Sequence, residues 1–336
     1  MRDAMFPATS SLVEQVLVNY DLQPPMSCEL LAQRATDLYV IRAGERQFVV
    51  SISAPTTRSH EEWEAQAQIQ VTLEQQNIPV TAPVQRKDGA YTQAIPVLEG
   101  VRYALLTPWI AGTPAGASLT EDQASVYGAT VAQMHQCLDH HGSIYQRRQM
   151  NLEALLDEPL VWMAPLLEQF PVFSRFLADL VSRLKANVNE RDLPLTPPSY
   201  GICHGDLHRN NVLFDEQGNL TIIDWEYVSY GWRAYELAAL RRSLEAAVHT
   251  DGASAHHVNR VYEAYLRGYS EVRPLSQAER TALPSFMVIR HIWIQGKKID
   301  QALRRGWGTP IFTEASVDEM MSTLQGWVKQ YGILDK

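Results

Sequence analysis

Between Ile202 and Asp224 the chain reads Ile-Cys-His-Gly-Asp-Leu-His-Arg-Asn-Asn-Val-Leu-Phe-Asp-Glu-Gln-Gly-Asn-Leu-Thr-Ile-Ile-Asp. Two short apolar runs, Val212-Leu213-Phe214 and Leu220-Thr221-Ile222-Ile223, flank Asp215-Glu216-Gln217-Gly218-Asn219, whose Gly and Asn tolerate positive φ. The pattern predicts a tight hairpin. Its ends carry Asp206 and Asn211 on one side and Asp224 on the other, so carboxylates eighteen residues apart are expected to converge at one mouth. Two carboxylates and an amide offer only oxygen, a set suited to Mg2+, which prefers hard ligands and shares its shell with phosphates.

His204, Asp206 and Asn211 in this order, followed by an apolar strand and then Asp224, match the spacing of a kinase catalytic loop and its metal-binding Asp. The competing explanation is a polar turn with a capping Asp. The block His204-Gly205-Asp206-Leu207-His208, Asn211-Val212-Leu213 and Ile223-Asp224-Trp225-Glu226 resembles the signature of the aminoglycoside phosphotransferase and choline kinase family, nearest to members like type II homoserine kinases. Ala132-Gln133-Met134-His135, Tyr235-Glu236-Leu237-Ala238 and Ile78-Pro79-Val80 extend the resemblance, which covers most of residues 28–330. It implies an α+β, two-lobed, protein-kinase-like fold with its site in the cleft between lobes. It also implies transfer of a nucleotide γ-phosphate, from ATP (or GTP) with Mg2+, to a hydroxyl of a small molecule. Asp206 would be the catalytic base, Asn211 and Asp224 the magnesium ligands, and His204 a brace for the loop. For His208, Trp225 and Glu226 contact with substrate stands beside plain loop packing.

The N-terminal part departs from the family. Aligned on the strand that should carry a basic residue, Phe48-Val49-Val50-Ser51-Ile52-Ser53 puts Ser51 in its place, and counting back from Ile78-Pro79-Val80 puts Gln66 where a helix Glu is expected, with Glu62 and Glu64 as near-register alternatives. The covering loop, Gln33-Arg34-Ala35-Thr36-Asp37, has no glycine. Lys87 is the only lysine in the first 184 residues, so a slip in alignment restores none. Arg34 and Arg58 are the candidates for a replacement cation, since a guanidinium binds phosphate well. The family lets the adenine ring bond to backbone at the lobe junction, here Thr107-Pro108-Trp109-Ile110; Pro108 has no N–H to give, so Ile110 or Trp109 would be the donor. Arg290-His291-Ile292-Trp293 lies on a late helix whose counterpart in the family helps wall the acceptor pocket, but Phe286, Ile289 and Trp293 read as one apolar stripe and packing is the expected role. Two rivals share the fold: a pseudokinase that binds a ligand or partner without turnover, and a nucleotidyl transferase.

The elements that must position these residues follow from periodicity. Leu12 to Tyr20 has helical spacing. Leu38–Ile41 and Phe48–Ile52 read as strands joined at Ala43-Gly44-Glu45, and Glu61–Gln76 as a helix ended by Asn77. Lys87-Asp88-Gly89 is a turn, and Tyr103–Leu106 a buried strand. Helices are expected at Glu121–His135, around Leu152–Leu155, at Phe173–Val188 and nearly throughout from Tyr235 onward. This gives an N-lobe over residues 1–108 and a C-lobe over 109–336.

Composition fits an enzyme of this kind. The 336 residues are 46% hydrophobic and 20% charged, enough apolar material for a core. Net charge is −9; residues 1–108 hold 12 acids against 8 bases and the remainder 26 against 21, so neither part is basic, nucleic acid is a poor partner, and a cationic or neutral small molecule is the easier one to accommodate. Three scattered cysteines suggest neither a disulfide framework nor a zinc cluster. No apolar run approaches the ~18 residues of a bilayer span, and the first residues lack a signal-peptide pattern. A cytoplasmic monomer or homodimer, without a membrane or nucleic-acid partner, is expected.

Overall fold

The computed structural model describes residues 15–24, 26–32, 36–54, 58–98, 100–141, 149–304 and 313–333. The chain forms two compact units: residues through Pro114 with Leu213–Asp224, and Ala115–Val212 with Trp225–Lys336. The first is built on β1 (Met26–Ala32), β2 (Thr36–Ala43), β3 (Arg46–Ser53), β4 (Thr92–Val97) and β5 (Gly100–Pro108). Their order is β1-β2-β3-β5-β4, every neighbouring pair antiparallel. β2 and β3 form the expected hairpin, with Gly44 at φ 60° in the turn, where a Cβ is disfavoured. Alternation along β3 sends Phe48, Val50 and Ile52 into a core with Val16, Leu17 and Tyr20. Val49 and Ser51 face the other way, toward the side where α1 (His60–Gln75) sets Trp63 and Ala67 against Leu105. A capping box of Ser59 and Glu62 starts α1, and Asn77 at φ 58° follows its end.

β9 (Val212–Phe214) and β10 (Leu220–Ile222) lie side by side, closed by Asp215 N–H donating to Asn219 O at 3.0 Å. The two-residue β6 (Thr113–Pro114) adds to β9. β10 is tied to the stretch around Val80, through Thr81 N–H to Ile222 O at 3.1 Å and Ile222 N–H to Pro79 O at 2.9 Å. The predicted hairpin therefore belongs to the first unit, joined to it at the stretch around Val80.

The second unit holds β7 (Gln149–Met150), β8 (Tyr200–Cys203) and β11 (Ser229–Trp232), in the order β7-β11-β8. Around them are α2 (Glu121–Asp139), α3 (Glu158–Leu167), α4 (Pro171–Asn189), α5 (Arg233–Thr250), α6 (Ala255–Val272), α7 (Gln277–Arg304) and α8 (Glu314–Gln330). α2 and α6 approach so closely that a Cβ on Gly128 would lie 1.9 Å from Tyr265 O, and one on Gly268 2.0 Å from Ser125 O. The fold is α+β, an antiparallel sheet followed by a mostly helical part. Among the described residues no helix is long and apolar enough to cross a membrane.

Some expectations need correction. The sequence pattern marks neither β1 nor β11. β1 is an edge strand, exposed along most of its length, so it lacks the alternation that marks a strand; β11 is four residues long and contains Gly231. Of the helix over Leu12–Tyr20, the described residues include only the 3-10 turn Leu17–Asn19 and its approach; the rest lies outside them. Around Leu152 the chain makes one π-helical turn, Glu153–Asp157, before α3. Thr36 and Asp37, assigned to the covering loop, already belong to β2, and Arg34 lies outside the described residues.

Candidate active site

The loop from His204 to Asn211 leaves β8 and enters β9. Leu207 is fully buried and anchors it, while Gly205 at φ 83° turns it. A Cβ on Gly205 would sit 2.0 Å from Tyr227 O, so the backbone of the second unit allows only glycine there. Glu236, in the first turn of α5, is the loop's main acceptor. Its carboxylate takes Gly205 N–H at 2.5 Å and His204 N–H at 3.1 Å, and lies 2.7 Å from His135 Nε2. His135, on α2, meets Tyr269 Oη through Nδ1 at 2.9 Å. His204 Nδ1 accepts Asp206 N–H at 3.2 Å, and its ring packs on Trp225 at 4.5 Å.

These contacts fix Asp206. Its Oδ1 pairs with Arg290 Nη2, and its Oδ2 lies 3.4 Å from Asn211 Nδ2 and 3.6 Å from His208 Nε2. Arg290, almost fully buried on α7, also donates through Nη1 to Gly205 O (2.9 Å) and Tyr235 Oη (3.2 Å). The expectation of packing for Arg290 is therefore corrected. Phe286, Ile289 and Trp293 do form a buried stripe, but the guanidinium among them grips the loop from below. Asn211 Nδ2 donates to Asp206 O at 3.0 Å, and its amide oxygen is a hard donor of the kind a magnesium ion takes. Asp224 follows β10 by two residues, is exposed, and has φ 65°, in the left-handed region that a short polar side chain tolerates. An amide oxygen, as on Asn211, and a carboxylate, as on Asp224, are each hard donors of the kind magnesium accepts.

His208 does what a loop histidine commonly does: Nδ1 accepts Asn210 N–H at 3.2 Å, capping the turn. Trp225 is buried against His204 and Glu226 is half-buried.

In the N-terminal unit Ser51 is half-buried on β3, across the ladder from Leu105. Gln66 is buried on α1; its Oε1 accepts Arg58 Nη1 at 2.6 Å and its Nε2 donates to Gln70 Oε1 at 3.2 Å. Arg58 also donates to Glu62 O at 3.0 Å and stacks over Trp63 at 4.9 Å. The helix position expected to hold Glu thus carries a neutral amide that still orients a cation. Arg102, the buried cation of β5, is neutralised by Asp37 at 2.9 Å. Trp109 N–H donates to Gln47 O at 2.9 Å, which leaves Ile110 as the next backbone donor after Pro108.

A family model, the phosphotransferase enzyme family, matches residues 28–275. The chain belongs to that family. A Synechocystis protein of uncharacterised role is 28% identical over 85% of this chain and 76% of its own length. A homoserine kinase of Neisseria meningitidis serogroup B is 28% identical over 80% of this chain and 81% of its own. Among solved structures, an amicoumacin kinase in complex with AMP-PNP and Ca2+ superposes with a TM-score of 0.75 at 18% identity, over 96% of this chain and 94% of that one. At that identity the likeness is one of fold. This phosphotransferase family member is a small-molecule phosphotransferase by descent.

Burial sets the charges beneath the loop. It pushes Glu236 up to about 7, against the pull of the Gly205 N–H, Arg233, the His204 N–H and Arg290. It holds His135 well below the ordinary 6.5, helped by Arg233 and Arg273, and His291 likewise, helped by Arg242 and Lys298. His208 is lowered too, by burial first. A histidine with a lowered folded pKa contributes stability that is present above 6.5 and lost as pH falls. Glu236 has the opposite sign: stability is lost as pH rises from about 4.5 through about 7. Three histidines outweigh one carboxylate, so the urea midpoint is expected to fall on acidification below 6.5. The fall should be smaller in His291→Gln, and a midpoint that rises on acidification would contradict these assignments.

Proposed function

We propose that the protein transfers the γ-phosphate of a nucleotide to a hydroxyl of a small molecule, with Asp206 as the proton acceptor. The reading is carried by one observation: Asp206 is held by Arg290 at one oxygen and neighboured by Asn211 and His208 at the other, at the end of a loop its own backbone bonds make rigid. In the reaction the acceptor oxygen bonds to the γ-phosphorus, the bond from phosphorus to the β,γ-bridging oxygen breaks with its electron pair leaving on the diphosphate, and the hydroxyl proton passes to Asp206. Positioning supplies most of the rate in such transfers. Asn211 and Asp224 would hold magnesium, which neutralises phosphate charge when bound. His204 orients Asp206 through its main chain and is a positioning residue. Family membership favours ATP over GTP as donor, and Ile110 N–H is the group proposed to meet the base.

Incubation of the protein with labelled ATP, magnesium and a panel of hydroxylated metabolites, followed by mass spectrometry, tests the reading. A product heavier by one phosphoryl group supports it, and a product heavier by a nucleotidyl group supports the rival transfer. Asp224→Ala and Asn211→Ala should weaken magnesium-coupled nucleotide binding, Asp224 more because it carries charge. Calorimetry with and without magnesium checks this, and equal affinity in both conditions would remove the metal role.

Arg58 is proposed as the substitute for the missing strand lysine, because it is oriented by Gln66 and stacked on Trp63. Arg58→Ala should lower turnover about 10- to 150-fold, the worth of a charge-assisted contact. Full turnover in that variant would leave Arg58 as a structural brace and favour Arg34.

A further inference from the structure

Beside Asp206 the second unit gathers more cationic side chains than it neutralises. Arg290 is matched by Asp206 and Arg209 by Asp251, the latter at 2.6 Å. Arg242, on α5, is matched by nothing: among the described residues no carboxylate lies within ion-pair distance of it. Its Nε is buried without a hydrogen-bond partner, and its Nη2 reaches only His291 Nδ1, at 3.5 Å. Burial lowers it to about 10, with Arg290 adding repulsion and Asp206 opposing, so the guanidinium acts within the field of the proposed catalytic carboxylate.

The neighbouring face of α7 continues the pattern. His291, Gln295 and Lys298 recur at helical spacing, with Gln295 Nε2 3.3 Å from His291 Nε2. Lys298 is an exposed residue whose ammonium is nonetheless crowded by protein atoms; that desolvation first, then Arg242, pulls it down. It too has no carboxylate within ion-pair distance among the described residues. A partly buried guanidinium left unpaired is unfavourable in the free protein, and an arrangement of this kind points to a ligand that neutralises it. A site for a cationic amine would show the reverse, carboxylates without cations.

We propose that the acceptor substrate carries an anionic group, a carboxylate or a phosphate monoester, which Arg242 binds with Lys298 at the rim while the acceptor hydroxyl reaches Asp206. The assignment rests on the phosphotransferase reading above and names the substrate class of that same site. Arg242 offers two parallel N–H donors to either anion.

The test is calorimetry on the full chain with magnesium and a non-hydrolysable ATP analogue present, using four hydroxylated probes: glycerate, glycerol 3-phosphate, glycerol and 3-amino-1-propanol. One of the two anionic probes is expected to bind, and which one separates carboxylate from phosphate recognition; glycerol and the amine should not. Arg242→Gln should weaken the anion about 10- to 150-fold, and Arg242→Lys less. Because the cation is unpaired, Arg242→Gln should not lower the melting temperature of the ligand-free protein. Should it fail to fold, exposed Lys298→Gln and the salt dependence of anion binding read the same site. Binding of the amine or of glycerol in preference to both anions, no anion binding at millimolar concentration, or anion affinity unchanged in Arg242→Gln would overturn the proposal. So would loss of nucleotide affinity in place of anion affinity, since the cations would then serve the nucleotide. A nucleotide titration without probe reports separately on the phosphotransferase reading.

Discussion

Asp206→Asn is expected to reduce phosphoryl transfer by about 10²- to 10⁴-fold while leaving nucleotide affinity nearly unchanged. The substitution keeps the shape of the side chain and most of its contacts. An amide oxygen can still accept from Arg290, and the new amide hydrogen can point toward His208 Nε2, which lies 3.6 Å from the present carboxylate. His204 Nδ1 continues to hold the residue 206 N–H, so the loop has no reason to move. What disappears is the capacity to take a proton from the acceptor hydroxyl. Single-turnover measurements with the acceptor returned by the metabolite panel, beside nucleotide calorimetry, separate these quantities. A near wild-type rate would remove Asp206 from the chemistry, and lost nucleotide affinity would reassign it to the phosphates.

The β9–β10 hairpin between Asn211 and Asp224 was legible because its length and turn residues are local properties. The β2–β3 hairpin was legible for the same reason, since Gly44 and two alternating runs need no distant partner. Glu236 and Arg290 were not. In the sequence Glu236 stands only as part of a family match and Arg290 only beside an apolar stripe, yet each acts on backbone groups of the loop 31 and 85 residues away. A carboxylate that accepts backbone N–H groups leaves no mark in the sequence at the positions it serves. The available signal was the misfit of an arginine inside the apolar stripe Phe286, Ile289 and Trp293, because a buried cation demands a partner. Arg242 shows the limit of that signal, since its unpaired state is visible only when the surrounding helices are in place.

Gly205→Ala is expected to abolish turnover and lower stability by about 2–5 kcal/mol, whereas Gly218→Ala should cost only about 1–2 kcal/mol and leave turnover intact. The two glycines share φ 83°, so the intrinsic strain of placing a Cβ in the left-handed region, about 1–2 kcal/mol, is common to both. Their surroundings differ. A Cβ at Gly218 meets nothing within 4 Å, but at Gly205 it would lie 2.0 Å from Tyr227 O and 2.8 Å from Tyr227 C. Those are backbone atoms with no rotamer to move, so relief must come from the loop itself, and overpacking of this kind adds about 1–3 kcal/mol. Displacement of residue 205 also stretches its 2.5 Å N–H bond to Glu236 and its 2.9 Å carbonyl contact with Arg290, the contacts that tie the residue before Asp206 to α5 and α7. Turnover should therefore fall even at temperatures where the variant is fully folded, with nucleotide affinity retained. Melting curves and turnover for the two variants, measured side by side, isolate the contact from the strain; equal losses in both would mean that the turn conformation alone, and not the approach of Tyr227, makes residue 205 a glycine.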